Sequence, residues 1–88
     1  MNGISNQADQ NLRHAIVKNA VAVDISATDD TLSSPSVLYI GGTGDVTVDT
    51  EGGQAVTYKD YFGGQFLPVL VTKVYKVGTT ATNMLAHW

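Results

Sequence analysis

An all-β domain, a small antiparallel β-sandwich or barrel of about six short strands, is the fold class this sequence predicts. Three observations predict it. Valine, threonine and tyrosine alternate with polar residues at period two in several short runs. Glycine-rich punctuation separates those runs at Gly41-Gly42-Thr43-Gly44, Gly52-Gly53, Gly63-Gly64 and Gly78. The longest run, FLPVLVTKVYKV over residues 66–77, is too β-branched for a good helix, and Pro68 would damage one.

That longest run reads as a central strand against which the other hairpins pair. Val69, Val71, Tyr75 and Val77 fall on one face at period two, and Leu70, Thr72, Val74 and Lys76 fall on the other. Pro68 has no backbone donor and is expected at the strand's entry or on an edge.

The remaining elements follow in order. Residues 1–18 read as an N-terminal arm and 19–88 as a single β domain. The polar start, MNGISNQADQ, buries no face and lacks the basic and apolar parts of a secretion signal. An arm lying on a neighbouring subunit would look the same. Leu12, Ala15 and Ile16 have the spacing of a single helical turn, and an extended lead-in fits so short a segment equally well. The first strand is expected over 19–26, with Val21, Val23 and Ile25 on one side, followed by a capping-rich loop over 28–35. Strands are expected at 36–40, 45–50, 55–59 and 83–88, with the glycines of 41–44 supplying positive φ at a turn. Hairpin-length links from Val37 onward favour antiparallel neighbours. The expected core includes Val46, Val56, Val71 and Val74.

Composition narrows the function classes. The chain has 88 residues and no cysteine, so no disulfide framework supports its thin core. His14 and His87 lack a second ligand at metal spacing, which leaves self-association as the stabiliser expected of so small a domain. The bases Arg13, Lys18, Lys59, Lys73 and Lys76 are scattered over a chain of net charge −3, against nucleic-acid binding. No run approaches a membrane span. Charged residues make up only 15% of the chain, well below the usual quarter, which points to a surface covered by other protein, with an extracellular or particle surface kept soluble by hydroxyls as the second reading.

Four arrangements invite chemistry. Gly41-Gly42-Thr43-Gly44 resembles a phosphate loop, but Asp45 stands where the lysine should be, and a strand follows instead of a helix. Asp29-Asp30 is an adjacent carboxylate pair without the alternating ligands and glycine of a calcium loop. Ser33, Ser34 or Ser36 can be assembled on paper with His87 and Asp49 or Asp60, yet no serine occupies a nucleophile elbow. Tyr58, Tyr61, Phe62 and Trp88 offer either a sugar platform or, for Tyr61-Phe62, a subunit contact, and aromatics at a loop tip favour the contact. The chain therefore reads as a non-enzyme with no catalytic, cofactor-binding or metal residues. Its candidate partner contacts are Tyr61, Phe62, Lys73 and Lys76.

An ordered set of residues carries a resemblance beyond these arguments. The set is Leu38-Tyr39-Ile40-Gly41-Gly42-Thr43-Gly44-Asp45-Val46, Gly52-Gly53, Val56-Thr57, Gly64, Phe66-Leu67-Pro68-Val69, Val71, Val74, Gly78-Thr79-Thr80-Ala81-Thr82 and Ala86 through Trp88. With the Asp24-Ile25-Ser26 stretch, it resembles the head-spike base proteins of alphaproteobacterial gene transfer agents and related tailed-phage and prophage virion proteins. The likeness covers about two-thirds of the chain, from Val23 onward. It departs at Tyr61-Phe62, a less aromatic loop in that family, and at His87, which is apolar there. The resemblance implies a structural virion protein, assembled in a bacterial host cytoplasm. It would be a homo-oligomer on the major capsid protein, serving as the base for a spike or fibre. A capsid cement, decoration or collar protein is the alternative, and a carbohydrate-binding surface module is a second.

Overall fold

The computed structural model describes residues 17–88. The expected arm therefore lies almost wholly outside the described residues, as do His14 and the helical spacing of Leu12, Ala15 and Ile16. The domain is all-β and antiparallel, as the sequence predicts. Its strands are β1 (Ala20–Ala22), β2 (Asp30–Ile40), β3 (Gly44–Thr50), β4 (Ala55–Tyr61), β5 (Gln65–Val74) and β6 (Leu85–His87). They form one six-stranded sheet in the order β1-β6-β2-β5-β3-β4.

The central strand is where the sequence places it, with β5 between β2 and β3. The hairpin expectation holds less well. Of the strands joined by short links, only β3 and β4 pair with each other. β2 and β3 pair instead with opposite sides of β5.

The core explains that pairing. Leu38, Ile40, Val46, Val48, Leu67, Val71, Val74, Ala81, Met84 and Ala86 form one buried cluster. Val46, Val71 and Val74 are fully buried, as expected, whereas Val56 only packs against the cluster from its margin. Strict alternation puts Val71 and Val74 on opposite faces, yet both are core. The β3–β5 register shifts between Asp49↔Lys73 and Thr50↔Val71, and that irregularity turns both valines inward. Val77, expected on the apolar face, is 83% exposed because β5 ends at Val74.

Both prolines lie at register shifts. Val37 faces Leu70 and Leu38 faces Leu67, so Pro68 and Val69 bulge from β5. Pro68 is thus inside a central strand, not at its entry or on an edge; the bulge removes the need for its missing donor. Pro35 lies in a larger irregularity between Thr31 and Ser36, which lets β2 run on from Asp30 through a stretch that reads as a loop.

The glycines of 41–44 act differently from the expectation. Positive φ occurs at Gly53, Gly64 and Gly78, not at Gly41, Gly42 or Gly44. Gly41 and Gly44 are needed because another backbone passes too close for a side chain, and Gly42 because the Thr82 side chain fills the space a Cβ would take. A Cβ on Gly44 would lie 2.5 Å from Ala81 N and 2.8 Å from Ala81 Cα. The approaching segment is held by Thr80 N–H and Ala81 N–H, both donating to the Asp45 carbonyl at 2.8 and 3.1 Å. Asp45 N–H donates in turn to Thr80 Oγ1 (2.9 Å), and Thr47 N–H to Thr79 Oγ1 (3.0 Å). An isolated bridge joins Gly42 to Thr82. The IGGTGD and GTTAT stretches, far apart in the chain, are thus one packing unit that curls the sheet around its core.

Candidate assembly surface

Register determines which side chains share a face, because directly paired residues in antiparallel strands project the same way. One cross-strand row is Val21, Ala86, Leu38 and Leu67, of which the last three are in the core and Val21, on the edge strand, is 47% exposed. The rows on either side lie on the opposite face, where Val37 is itself buried beneath its neighbours at 4% exposure. These rows are Ala20, His87, Val37 and Leu70, and Ala22, Leu85, Tyr39 and Phe66. None of these eight outward residues is an acid, a lysine or an arginine. Phe66 and Leu85 are each 37% exposed. The Phe66 ring meets Tyr39 edge-on at 5.3 Å and His87 at 5.5 Å, so three rings tile the centre of the face. Nδ1 of His87 is buried without a hydrogen-bond partner, consistent with a ring held by packing.

This face continues into a groove. β3 pairs only with the Val71–Val74 half of β5, leaving the edge of Phe66, Pro68 and Leu70 outside the ladder. Along that edge runs an open cavity of about 820 Å³, lined by Val37, Val56, Tyr58, Phe66, Val69 and Leu70 among others. Glu51 is its one charged lining residue. The edge itself is closed to an added strand. Tyr61 Oη donates to the Phe66 carbonyl (2.6 Å), Glu51 N–H donates to the Leu70 carbonyl (2.9 Å), and Pro68 has no N–H. Side chains can fill this groove; a backbone ladder cannot extend into it.

The four contact residues read from the sequence are not brought together. Tyr61 and Phe62 flank the start of β5 and Lys73 and Lys76 its end, about 30 Å apart at the rise of an extended strand. The tyrosine and phenylalanine also differ. Tyr61 packs against the core and meets Tyr58 edge-on at 6.2 Å, while Phe62 is 70% exposed. Burial first, and Tyr58 second, hold the Tyr61 hydroxyl protonated above its ordinary value of 10.0. Lys73 and Lys76 are engaged within the fold. Lys73 Nζ is 3.6 Å from Asp29 Oδ2 and 4.8 Å from the centre of the Tyr75 ring. Lys76 donates its N–H to Asp29 Oδ1 (2.7 Å) and its ammonium to the Ser26 carbonyl (3.2 Å). The sequence reading missed the outward rows because strand order decides which residues become neighbours; an uncharged alternating set on two strands was the only signal available.

The other candidate chemistries resolve into structure. Gly41 and Gly42 donate their N–H groups to the Asn83 and Thr82 carbonyls, so this loop aims neither at an anion. Asp29 faces the two lysines and Asp30 accepts the Asp24 N–H, so the adjacent carboxylates point to separate partners. Ser36 is buried and donates to the Ser34 carbonyl (2.7 Å), on the face of β2 opposite His87. Asp49 accepts the Tyr75 hydroxyl at 2.8 Å, which raises the Tyr75 pKa. Tyr58 and Tyr61 are on β4, whereas Trp88 follows β6, with β2, β5 and β3 between them in the sheet. Compared with family models, characterised proteins and solved structures, the chain has no match.

Proposed function

We propose that this chain is a structural assembly subunit on the head of a phage or phage-like particle, forming an oligomeric base that attaches a spike or fibre to the capsid. The observation that carries the assembly role is the uncharged outward face, two rows deep across four strands and continuous with the groove. An apolar face of this extent on so small a domain is characteristic of a surface covered by protein. Its centre is aromatic, as interface anchors commonly are. The particle assignment comes from the resemblance carried by the LYIGGTGDV and GTTAT stretches. In this reading the partners are further copies of the chain, the major capsid protein and a spike or fibre protein. Exposed Phe62 is the remaining candidate anchor at the β4–β5 turn.

The test is Leu85→Arg, which puts a charge on the outward face at a position already 37% exposed. The variant should keep the circular-dichroism spectrum and melting point of the parent, yet lose self-association in sedimentation and occupancy on purified particles. Unchanged association and occupancy would remove this face from the assembly. Phe62→Ser in parallel reports whether the turn contributes a second contact.

A further inference from the structure

We propose that the groove along β5 receives residues 12–16 of a second copy of this chain, so that each subunit docks an N-terminal segment on its neighbour. This rests on the assembly reading and names the occupant of its surface. The argument begins from shape and length. The groove follows the edge from Phe66 to Leu70, about 13 Å at the rise of an extended strand. Residues 12–16, Leu-Arg-His-Ala-Ile, span the same distance when extended, with Leu12 and Ile16 on one side. Those two are the large apolar residues nearest the described domain. The groove offers Val56, Tyr58 and Val69 to them. Its one charged lining residue is the acid Glu51, which has no ion pair among the described residues, and the segment carries Arg13.

Reach excludes the chain's own segment from this placement. Lys18 and Asn19 are tied to Trp88, each donating its N–H to the Trp88 carbonyl at 2.8 Å. From there to Leu70 the sheet is crossed through β6, β2 and β5, three strand spacings or about 14 Å. Ile16 is two residues from Lys18 and reaches about 7 Å, and Ala15 about 10 Å. Within one chain residues 12–14 can arrive at the groove but Ile16 cannot, so the two apolar residues Leu12 and Ile16 cannot both be seated there. A neighbouring subunit has no such tether and can seat all five residues. Because the blocked carbonyls and Pro68 prevent a ladder, binding depends on the apolar side chains.

The absence of cysteine makes the test direct. Full-length Leu12→Cys and Val56→Cys proteins, carrying tags of different mass, are mixed and mildly oxidised. A disulfide-linked heterodimer is the expected product, well above that formed with Lys59→Cys, an exposed position on the other face of β4. Bonding within one chain of the Leu12→Cys/Val56→Cys double variant, without the intermolecular product, overturns the proposal. So does a heterodimer yield no greater than the Lys59→Cys control. Sedimentation of the unsubstituted chain separates the two readings: an oligomer without the cross-link refutes only the segment exchange, while a monomer removes the assembly face as well. As a second check independent of thiols, Leu12→Asp/Ile16→Asp should weaken self-association at least roughly tenfold, the loss of one modest anchor, with unchanged melting of the domain. Association equal to the parent's would refute the exchange.

Discussion

Gly44→Ala is the most informative single change, because it adds one methyl group where backbone meets backbone. The new Cβ would lie 2.5 Å from Ala81 N, and ordinary contact begins near 3.4 Å, so one of the two chains has to move by close to an ångström. Neither a rotamer change nor a flexible side chain can absorb that movement. The displaced segment is the one whose Thr80 and Ala81 N–H groups bond the Asp45 carbonyl and whose Thr80 hydroxyl accepts from Asp45 N–H. At about 1 kcal/mol net for each of these bonds, the change costs on the order of 2–4 kcal/mol. A domain of 88 residues has about 4–13 kcal/mol to lose. Gly64→Ala is the control. Nothing lies within 4 Å of its Cβ, and its φ of +84° imposes only the left-handed strain of about 1–2 kcal/mol. Urea denaturation of both variants, followed by sheet circular dichroism, gives the comparison. If Gly44→Ala is no less stable than Gly64→Ala, the contact between the two stretches does not organise the fold and the explanation of the GGTG glycines is wrong.

Three further outcomes are expected. Val71→Asp should abolish the native sheet spectrum, since Val71 is fully buried and an unpaired charge there costs several kcal/mol; a soluble variant with the parent's spectrum would contradict the core assignment. In Tyr61→Ser/Phe62→Ser the loss of stability should come from Tyr61, which packs on the core, so Phe62→Ser alone should melt like the parent; equal destabilisation by each single change would contradict the division. Asp24 has its pKa lowered below the ordinary 3.8 by the Ser26 hydroxyl and then the Ser26 N–H. The folded value is the depressed one, so its contribution is complete above pH 3.8 and disappears as the pH falls through the lower folded value. Ser26→Ala should therefore raise the Asp24 value toward 3.8 in a side-chain NMR titration, and no movement would show that the hydroxyl is not the cause.

Local chemistry was sufficient for the strand content, the central place of the 66–77 run and most of the core. Period-two alternation of β-branched residues is a property of the backbone pleat and needs no partner to be read. The turns at Gly52-Gly53 and Gly63-Gly64 were legible as glycine punctuation, whereas positive φ, expected at 41–44, falls instead at Gly53, Gly64 and Gly78. Pairing decided the rest. Val71 and Val74 share the core only because β3 and β5 slip in register, and Pro68 is tolerated in a central strand only because β2 leaves a bulge opposite it. Gly44 is glycine because of residues 80 and 81, more than thirty positions away. The outward face has the same origin. Ala20, His87, Val37 and Leu70 become a row only when β6 inserts between β1 and β2 and β5 closes on the other side of β2. A side chain's direction along its strand is set by the nearest peptide bonds, but its neighbours across the sheet are set by which long-range hydrogen bonds win, and only the folded chain carries that choice.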